Sequence, residues 1–228
     1  MTEPTELPIL FEGSMVVANL AGLKTQTRRH KGLNAVNDCP DDWELVTVDA
    51  HGEPCSRHFG KFGALFRNKR SGGELFIRSP YGEPGGKLWV RETWQHENAP
   101  FGPPNANCAI FYRADYLDDP HGPDGELSPE GRYRTWQPSI HMPYFACRTW
   151  LDNKAVRLHR LQDINDADAI AEGTPGGHGA IPGYPYAATP VEHYRWKWEQ
   201  LYGKGSWSHN IWVWVIDYAI AEETAREA

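Results

Sequence analysis

A chain of 228 residues, 40% of them hydrophobic, has apolar material for one large globular domain, or for one domain with long insertions. Its formal charge of −7 argues against the broad cationic face that sequence-independent nucleic-acid binding requires, but leaves room for a small nucleoside pocket. No run of about 18 apolar residues exists to cross a membrane, residues 1–8 lack a signal-peptide pattern, and Cys39, Cys55, Cys108 and Cys147 form no C-x-x-C pair. These features predict a cytoplasmic protein with no membrane partner and neither a disulfide framework nor a zinc site.

In chain order, residues 8–11 read as a short apolar strand. Residues 14–21 read as a helix, capped by Ser14, striped by Met15, Val16, Val17 and Leu20, and stopped by Gly22. Residues 24–31 are polar and extended or turn-like. Residues 43–48 alternate as a strand, 51–54 form a turn, and 56–59 are expected to return as a second strand. Residues 60–73, with Lys61, Arg67, Lys69 and Arg70, read as a basic loop. Strands are predicted at 74–78, 87–94 and 109–114, with a turn cluster at 80–86 and a loop at 95–107. Residues 115–131 form a long connection, and 136–144 a proline-flanked loop. Residues 148–161 read as a long strand or hairpin. Residues 165–172 form a short helix capped by Asn165 or Asp166 and stopped by Gly173. A Gly/Pro-rich loop at 173–187 is a candidate lid. A helix at 191–202 presents Tyr194, Trp198 and Leu201 on one face, and 211–220 is an apolar terminal strand followed by a polar tail. Because strands and helices do not alternate regularly, an α+β fold is expected, built on a small, mostly antiparallel or mixed barrel with short helices at its ends. It is read as one domain over 1–228, with insertions near 32–73, 115–131 and 173–187.

The densest chemistry lies in Gly22-Leu23-Lys24-Thr25-Gln26-Thr27-Arg28-Arg29. Amide hydrolysis needs a nucleophile, a proton acceptor and a site for the oxyanion. Thr27 offers a hydroxyl. Lys24 becomes a base if burial and neighbouring cations bring its pKa well below about 10.4. In a regular strand, residues 24 and 27 point to opposite faces, so their convergence requires irregular backbone between them.

The order helix, Gly-x-Lys-x-x-Thr-x-Arg, then barrel strands resembles the ASCH family, which has a PUA-like β-barrel. The signature falls on Gly22, Lys24, Thr27 and Arg29, with Thr27 at the usual acidic position. That departure is similar to the small bacterial amidohydrolases that deacetylate N4-acetylcytidine. There a Lys-x-x-Thr pair acts with a distal glutamate in an Ala-x-x-Glu pattern, which Ala169-Ile170-Ala171-Glu172 matches here. The stretches 88–94, 138–143 and 212–216 also resemble phage and prophage ASCH-type proteins. The resemblance implies an amidohydrolase of N4-acyl cytosine nucleosides, with Thr27 as nucleophile, Lys24 as base and Glu172 orienting the lysine or shuttling a proton. Its partner would be a nucleoside or modified base, and it would use no cofactor.

Substrate-binding candidates are Arg28, Arg29, Glu92, Trp94, Tyr112, Ser139 and His141. Glu92 lies in an apolar strand and needs a cationic partner, for which Arg29 and Lys24 are the candidates. Ser139 and His141 sit between Pro138 and Pro143, suited to lining a pocket but without an acid to complete a triad. His51-Gly52-Glu53 matches half of a zinc-deaminase signature, and the cysteine half is missing. The rival readings are an RNA- or modified-nucleotide-binding module, in which Lys24, Arg28, Arg29 and tryptophans meet phosphate and bases, and an RNA-cleaving enzyme.

Overall fold

The structure is a computed structural model, and it describes residues 6–52, 56–98, 102–118 and 136–222. Most of the predicted 115–131 connection, residues 53–55 of the zinc-like motif and its sequel, and most of the terminal tail lie outside the described residues. The described part is a mixed α+β structure: ten strands, four short α-helices and several 3-10 turns. Strands are β1 (Glu6–Leu10), β2 (Gln26–Arg29), β3 (Trp43–Ala50), β4 (Phe62–Asn68), β5 (Glu74–Arg78), β6 (Lys87–Arg91), β7 (Trp94–His96), β8 (Ile110–Tyr112), β9 (Trp150–Arg160) and β10 (Trp212–Ile220). Helices are α1 (Gly13–Leu20), α2 (Asn34–Asn37), α3 (Asp166–Ala171) and α4 (Pro190–Tyr202).

Two compact units are formed. The first gathers Leu23–Lys87 and Asp152–Ala219; the second gathers Glu6–Gly22 and Leu88–Leu151 with residues 220–222.

In the first unit, β9, β10 and β2 follow in that order, and β2 ends the sheet. β2 runs antiparallel to β10, with Thr27 opposite Ile216 and Gln26 opposite Asp217. The expected closed barrel is therefore corrected: this sheet has a free edge strand, and β3-β4-β5 form a second open, antiparallel sheet. The strand expected at 56–59 is a turn, and the partner of β3 is β4, inside the stretch read as a basic loop. Its basic and glycine residues hid an inward pair, Ala64 and Phe66, both fully buried. Gly63 is required there, because a Cβ would lie 2.3 Å from the Ile77 carbonyl on β5. Phe66 packs edge-on against Trp212 at 5.4 Å.

The core of this unit joins Leu161, Ile164, Ala169, Tyr194, Trp198, Val213 and Val215. Helix α3 starts where Asn165 Oδ1 accepts from the Asp168 N–H at 2.9 Å. It stops at Gly173, whose φ of 84° is the left-handed conformation that glycine adopts without strain. Helix α4 begins earlier than the apolar pattern indicated, because Thr189 and Glu192 cap it reciprocally and Pro190 occupies its first turn. Its buried residues are Tyr194 and Trp198, at spacing four, as expected. Leu201, expected on that face, is 52% exposed, while Tyr202 stacks on Trp198 at 4.3 Å.

In the second unit, β1 lies beside β6, and β7 pairs with β8 as a two-stranded ribbon. Helix α1 is preceded by Glu12, which accepts the Ser14 hydroxyl at 2.9 Å, so Ser14 lies inside the helix and is not its cap. The strand expected at 87–94 breaks after Arg91, where the Glu92 N–H turns toward the Met142 sulfur at 3.2 Å. The core here is Trp94, Met142, Ala146 and Cys147.

Candidate functional site

Lys24 follows the turn at Gly22 (φ 69°) and precedes β2. The irregular backbone expected over 24–27 is confined to residues 24 and 25, and Gln26 and Thr27 are regular strand. Thr25 is pinned on both sides: its N–H donates to the Ala171 carbonyl at the end of α3 (2.8 Å), and its carbonyl accepts from Tyr218 on β10 (2.9 Å). This brings the C-terminus of α3 against β2 and sets Glu172 beside Lys24.

The lysine amine donates to the Gln26 carbonyl (2.8 Å), the Glu172 carbonyl (2.8 Å) and Glu172 Oε2 (2.5 Å). Three acceptors match the three N–H bonds of an ammonium. Lys24 is 3% exposed and Glu172 5%. Burial is the largest influence on the amine and lowers its pKa from 10.5 to about 8, against the opposing pull of Glu172; Arg29 and Lys197 lower it further. Desolvation thus outweighs the carboxylate.

Thr27 is buried, at 2% exposed. Alternation along β2 sends it to the face opposite Gln26 and Arg28, together with Arg29. Arg28, expected to face a ligand, points into the protein, where both terminal nitrogens are bonded and Nε has no partner among the described residues. Its side chain is wholly buried, donates to Asp168 Oδ2 at 2.8 Å and to Gln26 Oε1, and lies 3.7 Å from Glu172 Oε1. Gln26 Nε2 in turn donates to Asp168 Oδ1 (3.0 Å) and Asp217 Oδ1 (2.7 Å), and Arg157 closes the chain on Asp217 at 2.7 Å. Burial pushes the Asp168 carboxyl up, but the Gln26 hydrogen bond and the Arg28 charge hold it below its ordinary value.

An aromatic group accompanies this network: Trp198 beside Tyr194 (6.2 Å), and His30 edge-on to Tyr202 (4.9 Å) and Trp198 (6.3 Å). Burial, then the Arg29 charge, lowers the His30 pKa. Between the loop at 173–187 and α4 lies an open groove of about 260 Å³ lined by Ile181, Tyr184, Glu192, Arg195, Trp196 and Glu199.

The remaining candidates belong to the second unit. Glu92 is 1% exposed, and its partner is Arg148, which takes the place expected for Arg29 or Lys24. Two parallel bonds join them, Nε to Oε1 at 2.9 Å and Nη2 to Oε2 at 3.0 Å. Burial raises the Glu92 pKa, and Arg148 opposes this. Arg148 also binds Asp115 at 2.8 Å and lies 4.0 Å over the Tyr112 ring. Tyr112 donates its hydroxyl to the Ala146 carbonyl at 2.9 Å, and burial pushes its pKa up to about 12. Trp94 is core, 3% exposed. Ser139 and His141 occupy a 3-10 turn whose middle carbonyl, that of Ile140, accepts from Arg91; His141 is exposed.

The functional candidates missed from sequence are Gln26, Asp168 and Arg148. For Asp168 a signal existed: it stands four residues before Glu172, so the two share a helix face. Among the described residues no group of three or more His, Cys, Asp or Glu side chains is placed to hold a metal ion, and no helix is long and apolar enough to cross a membrane. Comparison with protein-family models, with curated proteins and with solved structures gives no match.

Proposed function

We propose that the chain is an amidohydrolase of the ASCH type, with a PUA-like ancestry for its sheet, that removes an acyl group from N4-acyl cytosine nucleosides. The observation behind this reading is the buried Lys24–Glu172 pair, in which desolvation brings an amine to about 8. Near pH 7, about one such amine in ten is neutral, a fraction sufficient for a general base.

In this mechanism the neutral Lys24 takes the hydroxyl proton of Thr27 as Thr27 Oγ1 bonds to the acyl carbon. The tetrahedral intermediate then collapses: the C–N bond breaks, and the Lys24 ammonium returns its proton to the departing cytosine amine, directly or across Glu172. Water then attacks the acyl-threonine, giving one proton to Lys24, which passes it to Thr27 Oγ1 as the ester opens and the carboxylic acid leaves. Glu172 keeps the amine aimed throughout.

The RNA-binding reading has less support. Lys24 and Arg28 are buried and neutralised by Glu172 and Asp168, which removes two of its three proposed phosphate contacts. The test is incubation of purified protein with a panel of N4-acyl cytidines and deoxycytidines. Cytidine release that rises with pH through about 8, and its loss in folded Lys24→Ala, is the expected result. A panel left wholly intact rejects the reading.

A further inference from the structure

One oxygen of Glu172 is committed and the other is not. Oε2 receives the Lys24 amine at 2.5 Å, whereas Oε1 is buried and has no hydrogen-bond donor among the described residues. A buried carboxylate oxygen without a donor is costly, and where one persists something else normally fills the position. The nearest cation is Arg28, whose Nη1 lies 3.7 Å away, beyond hydrogen-bonding distance. Arg28 is drawn off by other acceptors. Asp168 Oδ2 takes its Nη2 at 2.8 Å, and Gln26 Oε1 takes its Nη1. Gln26 is itself anchored by Asp168 at 3.0 Å and Asp217 at 2.7 Å, so it cannot follow the guanidinium elsewhere.

We propose that Asp168 and Gln26 are positioning residues that hold Arg28 off Glu172, keeping Oε1 open to accept the N–H of a secondary amide in the substrate. The claim about substrate rests on the amidohydrolase reading. An N4-acyl cytosine carries one such N–H, on the nitrogen that leaves. The preferred substrates are therefore secondary amides, and tertiary amides bind poorly.

The experiment has two arms. The first is the crystal structure of Asp168→Asn, which needs no substrate. Released from its counter-charge, Arg28 should close on Glu172 Oε1 to within hydrogen-bonding distance; an Arg28 that stays put overturns the positioning role. The second compares N4-acetylcytidine with its N4-methyl derivative, which lacks the N–H. Wild type should favour the former by about 10- to 100-fold in kcat/KM, the range for a hydrogen bond to a charged group. Asp168→Asn should raise KM for the secondary amide by a similar factor and bring the preference close to one. Adding Arg28→Met, which removes the group that closes on Oε1, should restore much of the preference.

A preference unchanged in Asp168→Asn would make it steric and sink the acceptor role of Oε1. Turnover of neither compound, nor of any N4-acyl cytosine, rejects the amidohydrolase reading and the amide acceptor with it. The Arg28–Glu172 distance still decides the positioning role in that case.

Discussion

The proton affinity of Lys24 can be read from stability without any substrate. Burial takes the amine from 10.5 to about 8, with Glu172 opposing the fall. At about 1.36 kcal/mol per tenfold change in proton affinity, carrying the charge inside costs the folded state about 3 kcal/mol at any pH below 8. Between pH 8 and 10.5 the unfolded lysine holds its proton and the folded one has lost it, so stability rises with pH. Above 10.5 both states are neutral and the cost is gone. The reference protein is Lys24→Met/Glu172→Gln, which carries neither charge and avoids stranding a carboxylate. Urea unfolding followed by tryptophan fluorescence, from pH 7 to 10.5, gives the difference between the two proteins. Burial is the largest cause of the raised pKa of Tyr81, Tyr194 and Tyr218 and is kept in both proteins, so their folded forms hold the phenol proton across this window in each; the smaller Glu172 contribution at Tyr194 and Tyr218 is removed in the variant. Wild type should gain about 3 kcal/mol on the variant across this window. A flat difference would mean that Lys24 keeps its proton to the ordinary value, and the argument for a buried base would fail.

Two further perturbations test the packing around the candidate residues. Arg148→Met strands the Glu92 carboxylate, which is 1% exposed, and should cost about 3 kcal/mol at neutral pH in thermal or urea unfolding. Because burial raises the Glu92 pKa, the loss should shrink as pH falls and the carboxyl takes up a proton, and Glu92→Gln/Arg148→Met should be milder than the single change. Gly63→Ala forces a Cβ to within 2.3 Å of the Ile77 carbonyl and 2.8 Å of the Arg78 Cα, so it should lower stability by about 1–3 kcal/mol with loss of β4–β5 pairing, read by amide exchange; unchanged protection of β5 would contradict the close approach.

Apolar periodicity located most elements, and β9, β10 and α4 each bury a recurring set of side chains; α1 lies where expected but buries only Val16 and Asn19, and Val17 and Leu20 of its expected stripe are exposed. It failed where burial is carried by few residues. β4 buries Ala64 and Phe66 between basic neighbours, and its charge pattern read as a loop. On α4, Tyr194 and Trp198 are buried as the apolar pattern indicates, but Leu201, the most apolar of the last turn, is exposed, and it is the partly exposed Tyr202 that meets Trp198 at 4.3 Å. Closure of the sheet was not readable at all, since strand order depends on pairings far apart in the chain, and β2 meets β10 across about 190 residues.

The site shows the same limit in its polar residues. The pairing of Lys24 with Glu172 is what the family resemblance implies, and the structure joins them at 2.5 Å. Arg28 and Arg29 are adjacent, chemically identical and equally basic in sequence, so composition assigns them one role. Strand alternation gives them opposite faces, and Arg28 is the one shown to meet Asp168 and Gln26. The fate of a buried cation is decided by which carboxylate reaches it first, and that choice lies in the helix facing the strand. Asp168 on α3 and Glu172 at its C-terminal cap, about one turn on, compete for the same guanidinium. Asp168 holds it at 2.8 Å and Glu172 is left at 3.7 Å, which is why one carboxylate oxygen beside Lys24 keeps no donor among the described residues.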